Sequence, residues 1–156
     1  MNTRRMWRGT AAVAVAVAML GAVRMWRAGP AAGQPPKIAV YKRETCGCCN
    51  KWIDHVRAAG FRVSVKTKRD LVDINDRYGI TAALVSCHTA VVEGYAIEGH
   101  VPADVIQRLL RERPDLVGIA VPGMPEGSPG MEGPVREHYN VIAFDRRGDL
   151  RVYDSR

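Results

Sequence analysis

The sequence lacks several features on which common functions depend. Only four of its 156 residues are cysteine, two are phenylalanine, and aromatic residues make up 6% of the chain. The longest uncharged apolar run extends from Gly9 to Val23. A membrane-spanning helix needs about 20 residues, so this run is too short to form one. We find no paired carboxylates, no glycine-rich phosphate-binding loop and no Ser/His/Asp set. The sequence therefore does not support carboxylate-based or serine-based hydrolysis, or phosphate transfer.

Positive charge is concentrated at the start of the chain. The formal net charge is +7, but five arginines lie before residue 34, where there are no acids and no lysines. The rest of the chain carries +2, five less than the whole. A nucleic-acid-binding domain needs its basic stripe on the folded domain itself. We therefore expect no nucleic-acid partner.

Residues 1–33 have the pattern of an export signal and linker. The basic residues Arg4, Arg5 and Arg8 precede the apolar run, and small residues cluster between Ala28 and Gly33. The Arg4-Arg5 pair also fits a twin-arginine export signal. Proteins that carry such a signal cross the membrane already folded. An uncleaved membrane anchor is a further alternative. We predict an exported protein, located in the periplasm, that touches the membrane only through an uncleaved leader, if at all.

From residue 37 onward, the apolar pattern alternates between strands and helices. We predict strands at 37–42, 61–66, 84–86, 90–92 and 95–97, helices at about 49–59, 70–78 and 102–113, and a closing hairpin at 139–144 and 150–153. A parallel β-α-β start with an antiparallel continuation indicates an α/β fold. A cysteine pair at the first strand-to-helix junction indicates a thioredoxin-like α/β sandwich with a mixed sheet and an added C-terminal hairpin, spanning residues 37–154.

Three of the four cysteines stand together at that junction, as Cys46-Gly47-Cys48-Cys49. The start of a helix favours thiolates, which both bind metals and attack disulfides. Cys46 and Cys49 have the Cys-x-x-Cys spacing of a dithiol redox site. Cys48 favours metal binding, because a third adjacent thiol invites wrong pairings, whereas copper(I) gains from each additional sulfur and bridging thiolates hold several ions.

A second candidate group lies further along the chain, at Cys87-His88. In the predicted fold this turn lies beside the start of the first helix, so both side chains would face the first three cysteines. We predict both as metal ligands. Zinc prefers four ligands in a closed tetrahedral array, which could be supplied by Cys46, Cys49, Cys87 and His88. Zinc is therefore the alternative metal.

The segment from Pro122 to Pro134 is rich in proline and glycine and is predicted to be a long loop. Such loops in compact domains are usually functional or disordered. It carries Met124 and Met131, whose thioethers are soft ligands, so we predict a lid closing on copper. A flexible loop with incidental methionines is the alternative.

The remaining histidines have weaker patterns. His55 follows Cys48 by two helical turns, but most histidines so placed face solvent. We expect His100 to order the start of the helix near Pro102, and His138 has no predicted partner.

Several motifs, in this order, together resemble the CopG-like proteins. They are residues 42–52 with Cys-Gly-Cys-Cys, 86–89 (Ser-Cys-His-Thr), 94–102, 121–125 and 127–132. These proteins are exported, thioredoxin-like and metal-binding, and are associated with copper and silver resistance. The resemblance covers about residues 37–154. It implies a cysteine-bridged copper site with Cys46, Cys48, Cys49 and Cys87 as thiolates, and redox cycling of the bound copper.

Our leading hypothesis is therefore an exported protein that sequesters copper(I), as a multinuclear cluster, and so protects against copper excess. Its partners would be copper ions and other exported copper-resistance proteins. The rival hypothesis is an enzyme, either a thiol-disulfide oxidoreductase using Cys46 and Cys49 or a copper oxidoreductase built on the same thiols.

Overall fold

The structure is a computed structural model that describes residues 34–156. The export signal, its twin-arginine pair and the alternative anchor were predicted in residues 1–33, and lie outside the described residues. Within residues 34–156, none of the helices has the length and apolarity that crossing a membrane requires.

A seven-stranded mixed sheet and three helices form the domain. The strands are β1 (Lys37–Arg43), β2 (Arg62–Lys68), β3 (His88–Val92), β4 (Tyr95–Gly99), β5 (Gly118–Val121), β6 (Asn140–Phe144) and β7 (Leu150–Ser155). The helices are α1 (Gly47–Ala58), α2 (Val72–Tyr78) and α3 (Ala103–Glu112). The order of the strands in the sheet is β2-β1-β3-β4-β5-β6-β7.

The strand directions match the prediction. β1 and β2 are parallel, β3 is antiparallel to β1, and β4 is antiparallel to β3. β5 then pairs parallel to β4, and β6 and β7 form an antiparallel hairpin. The predicted α/β fold with a mixed sheet and an added C-terminal hairpin is confirmed.

Two strand predictions were wrong. The segment Leu84–Ser86 is a turn, because the amides of Leu84 and Val85 both donate to the Thr81 carbonyl and the Ser86 amide donates to a side chain. β5 was not predicted, since its four residues show no alternation and all are buried. Gly118 permits its close approach to β4, because a Cβ there would lie 2.1 Å from the carbonyl oxygen of Ala96.

The main core lies between α1, α3 and one face of the sheet. Its largest member is Trp52 of α1, which is fully buried and donates a 2.8 Å hydrogen bond from Nε1 to the carbonyl of Val101. Its other members include Ile53, Val56, Val105, Ile106 and Leu109 from the helices, and Ile38, Val40, Ala90, Val92 and Ile97 from the strands. Trp52 thus ties the helix that carries the cysteines to the segment that enters α3.

His55 orders the start of α3, which is the role that the sequence suggested for His100. Its Nε2 accepts a 3.0 Å hydrogen bond from the amide of Ala103, the first residue of α3. The first amides of a helix have no partner within the helix. The His55 ring therefore caps α3 from the neighbouring helix.

This cap predicts a pH dependence of stability. Burial lowers the pKa of His55 below its ordinary 6.5, against the opposing charges of Asp104 and Glu132. The folded protein therefore favours the neutral ring, whose stabilising contribution is present above pH 6.5 and is lost as the pH falls through the folded-state pKa. Compared with His55→Gln, the wild type should lose up to about 1 kcal/mol between pH 7 and pH 5, the contribution of one hydrogen bond.

Urea unfolding of both proteins at the two pH values measures the difference. An equal change in the free energy of unfolding for wild type and variant would show that the His55 ring does not titrate in this way.

Candidate metal centre

The clustered cysteines lie at the N-terminus of α1. Cys46 is the N-cap residue with an extended backbone, and Cys48 and Cys49 occupy the first turn. That turn contains no acidic residue, and no side chain caps it. The positive end of the helix dipole is therefore available to negative charge on the sulfurs.

Four sulfurs from two separate segments meet here. The Sγ atoms of Cys46, Cys48, Cys49 and Cys87 all lie within 4.8 Å of one another. Cys46 and Cys49 are joined by a disulfide, and Cys48 and Cys87 are free thiols. The Cys48 sulfur lies 3.5 Å from that of Cys46 and 3.8 Å from that of Cys87. Cys48 thus stands between the disulfide and the cysteine from the second segment.

Cys87 is held as a protonated thiol in the metal-free protein. Burial, followed by the charge of Cys48 and its hydrogen bond, raises the pKa of Cys87 to about 12. A thiol must lose its proton to ligate a metal. Metal binding at Cys87 would therefore release a proton at neutral pH.

His88 is fully buried beside Cys87. Its Nδ1 lies 3.4 Å from the Cys87 sulfur, and its ring packs on Trp52 with centroids 4.3 Å apart. Burial, then the nearby His100 and Lys42, lowers the pKa of His88 to about 3, so the ring is neutral. Its Nε2 has no hydrogen-bond partner within residues 34–156. His88 therefore lies where the sequence predicted, next to the cysteines.

His100 also lies at the site, which the sequence interpretation missed. Its Nε2 is 2.9 Å from the Cys87 sulfur and its Nδ1 is 2.8 Å from the carbonyl oxygen of Pro129. Burial lowers the pKa of His100, although the Pro129 bond and Glu132 oppose this. The ligand atoms of Cys87, His88 and His100 form a second group within 4.8 Å of one another.

The β3–β4 hairpin contains the signal that could have revealed His100. Its two-residue turn pairs Val92 with Tyr95 and, three steps on, Thr89 with Glu98. Two further steps along both antiparallel strands place Cys87 opposite His100. The sequence predicts the two strands of this hairpin at 90–92 and 95–97, which stop short of Cys87 and His100.

The two predicted methionine ligands border the cysteines on different sides. Met124 is 51% exposed and lines an open cleft of about 410 Å³ together with Cys46 and Cys87. Met131 lines a second cleft, of about 250 Å³, together with Cys48. Ligation by either thioether stays a prediction.

The loop that carries these methionines has no helix or strand, as predicted, and is tied together by hydrogen bonds. The Ser128 hydroxyl donates to the carbonyl of Pro125, and the amide of Gly127 donates to the carbonyl of Met131. Gly130, at φ +87°, packs on the first turn of α1: a Cβ there would lie 2.8 Å from the amide nitrogen of Trp52 and 2.9 Å from the carbonyl oxygen of Cys48. The loop therefore rests directly on the helix that carries the cysteines.

A buried carboxyl group holds the segment that carries Cys87 and His88. Glu98 is fully buried; its Oε1 accepts a 2.6 Å bond from the amide of Ser86, and its Oε2 accepts a 2.7 Å bond from the hydroxyl of Thr89. Burial raises the pKa of Glu98 to about 7, against both of these bonds. Glu98 thus fixes the residues on either side of the Cys87-His88 pair.

Comparisons with known proteins agree with the mixed α/β fold of the domain. Residues 84–131, which include Cys87, His100 and both loop methionines, match a family described as a protein of unknown function, DUF411. Two solved structures of copper resistance protein CopG, described as form 2 and form 1, are each 45% identical, with a TM-score of 0.75. The match covers 79% of this chain and 99% and 98% of theirs. No curated protein matches the chain.

The chain therefore belongs to the CopG family of copper resistance proteins, as the sequence motifs indicated.

The contact between the loop and α1 predicts a difference between two glycine substitutions. Both Gly123 (φ +70°) and Gly130 (φ +87°) have left-handed backbones, so an alanine at either should cost about 1 kcal/mol or slightly more. A Cβ at Gly123 meets nothing within 4 Å, whereas one at Gly130 meets helix backbone. Gly130→Ala should therefore lower the free energy of unfolding by a further about 1–3 kcal/mol, the usual cost of overpacking.

Gly123→Ala is the matched control, since it carries the backbone strain without the steric contact. Equal losses for the two variants in urea unfolding would contradict the close docking of the loop on α1.

Proposed function

We propose that this protein binds copper(I) through thiolates of Cys46, Cys48, Cys49 and Cys87, and so sequesters or handles copper during copper excess. The observation that carries the proposal is the convergence of four sulfurs, from two segments about forty residues apart, within 4.8 Å of one another. Copper(I) is a soft ion that prefers thiolates, and bridging thiolates hold several ions together.

All four sulfurs act as ligands only after the Cys46–Cys49 disulfide is reduced. Reduction takes two electrons and two protons from a thiol reductant and yields two thiols. The family name given to the solved relatives, copper resistance protein, supports copper as the ion. We treat the copper as the cargo of the protein.

The surroundings of the cluster suit an anionic copper–thiolate group. The N-terminus of α1 directs its positive dipole end at three of the cysteines. Lys42 is a buried residue that pairs with His88 across the sheet and acts on it through its charge, and its ammonium group donates to the backbone carbonyls of Arg43 and Glu44. His88, Met124 and Met131 are proposed as additional soft or borderline ligands around the thiolates. Zinc at the same sulfurs is the alternative ion.

We place the protein in the periplasm, with other exported copper-resistance proteins as its partners. The basic, alanine-rich leader supports export. The near-neutral charge of the remaining chain supports a protein without a nucleic-acid partner.

A thiol-disulfide oxidoreductase is the second candidate, and the Cys46–Cys49 disulfide favours it. Cys46 is partly exposed in the open cleft, whereas Cys49 is fully buried. An external thiolate would therefore attack the Cys46 sulfur and release Cys49 as the leaving thiolate.

Cys48→Ser separates the two functions. Dithiol exchange needs only Cys46 and Cys49, so this activity should survive the change. A multi-thiolate copper site should lose copper stoichiometry, or about tenfold or more in affinity, since even changes outside the ligand shell cost 10–100-fold. Anaerobic titration of the reduced protein with copper(I), against a competing chelator, measures both quantities.

Thr45→Ser is the matched control, because Thr45 lines the open cleft beside Cys46 and supplies no sulfur. The oxidoreductase would be favoured instead if Cys48→Ser bound copper as the wild type does, and if the wild type and Cys48→Ser both had full insulin-reducing activity.

A further inference from the structure

We propose that His100 is a metal ligand, and that with Cys87 it forms a mixed nitrogen–sulfur position on the buried side of the four-cysteine group. This inference rests on the proposed function, because Cys87 belongs to both groups. It adds an imidazole to a site that the sequence motifs present as thiolates, and it gives Cys87 a bridging position between the two.

The hydrogen bond to Pro129 sets the tautomer of His100. A backbone carbonyl can only accept, so the Nδ1 that lies 2.8 Å from the Pro129 oxygen must carry the ring proton. Nε2 is then the lone-pair nitrogen, and it points at the Cys87 sulfur 2.9 Å away. Metal-ligating histidines usually donate their other ring N–H to a carbonyl or carboxylate in this way. His100 is therefore oriented as a ligand before any ion arrives.

His88 provides an internal comparison, because it is equally buried and also adjoins Cys87. Its Nδ1 faces the sulfur at 3.4 Å, but its Nε2 has no hydrogen-bond partner within the described part of the chain. No outer contact fixes its tautomer, and its ring is held by packing on Trp52 instead. Both histidines contact Cys87, but only His100 has a lone-pair nitrogen facing the sulfur together with a hydrogen-bond partner for its other ring nitrogen.

Small movements would admit an ion between Cys87 and His100. Metal–sulfur and metal–nitrogen bonds are about 2.0–2.3 Å, which places two ligands of a trigonal or tetrahedral ion roughly 3.5–4 Å apart. The present 2.9 Å separation would have to widen by about 1 Å or less. His100 is fully buried, whereas Cys87 lines the open cleft, so the ion would enter past Cys87. One sulfur and one imidazole suit copper(I) or zinc.

The same contact assigns a role to the proline- and glycine-rich loop. Pro129 lies between Ser128, which is fully buried, and Gly130, which packs on α1. The loop therefore acts on the metal position through a backbone carbonyl that orients His100, in addition to any ligation by its methionines.

His100→Asn tests the proposal directly. Asparagine keeps an N–H donor near the position of Nδ1, and so can retain the Pro129 bond, but it has no atom at the position of Nε2. In X-ray absorption spectra of the anaerobic copper(I)-loaded protein, the wild type should show an imidazole shell in addition to sulfur. The variant should have an imidazole shell smaller by the contribution of His100, and should lose about tenfold or more in affinity.

His55→Gln is the matched control, because it removes another histidine of the domain that contacts the Ala103 amide rather than the cysteines. It should leave the imidazole shell and the affinity unchanged. The wild-type spectrum requires no variant to fold, and the absence of an imidazole shell from it would overturn the proposal.

A second arm isolates the new position. The triple variant Cys46→Ser, Cys48→Ser, Cys49→Ser retains Cys87, His88 and His100 and should bind one copper(I) per chain, and adding His100→Asn should weaken that binding about tenfold or more. Failure of the triple variant to bind copper would also overturn the proposal. A wild type that binds copper through sulfur alone would refute only the ligand role of His100, whereas a wild type that binds none would refute the proposed function as well.

Discussion

The antiparallel pairing of β1 with β3 is the constraint on which the candidate metal centre depends. Lys42, near the end of β1, lies opposite His88, the first residue of β3. The chain that leaves β1 towards Cys46 and the chain that enters β3 through Cys87 therefore meet at one edge of the sheet. Three of the sulfurs come from the first segment and one from the second, so the sheet register assembles the four-sulfur group. The β3–β4 hairpin then adds His100 to this group, because its register places His100 opposite Cys87.

Much of this arrangement could be predicted from the sequence, because apolar periodicity and cysteine spacing are local signals. The α/β order, the closing hairpin and the proximity of Cys87 to the clustered cysteines followed from strand and helix patterns. The cap formed by His55 did not, because it depends on a contact with Ala103, far away in sequence. The register of the β3–β4 hairpin could have placed His100 opposite Cys87, but no local pattern encodes its hydrogen bond to Pro129. The Leu84–Ser86 turn was predicted as a strand because so short a segment, with two apolar residues, is compatible with either structure. The buried Glu98 that accepts from the Ser86 amide could not be foreseen.

The site combines a buried half with an exposed half. Cys49, His88 and His100 are fully buried, where neutral side chains are favoured, whereas Met124 and the open cleft face solvent beside Cys46 and Cys87. Ions or external thiols would therefore arrive at Cys46 and Cys87 first. The Cys46–Cys49 disulfide connects the two proposed functions: the bond that a dithiol enzyme would exchange is the bond that must be reduced before the four sulfurs hold copper.

The most direct test is a paired count of thiols and copper on the full chain, reduced and handled anaerobically. Our account predicts four titratable thiols in the metal-free protein, more than one copper(I) per chain after loading, and protection of all four thiols by the bound copper. A reduced protein that takes up no copper while all four thiols stay titratable would contradict it.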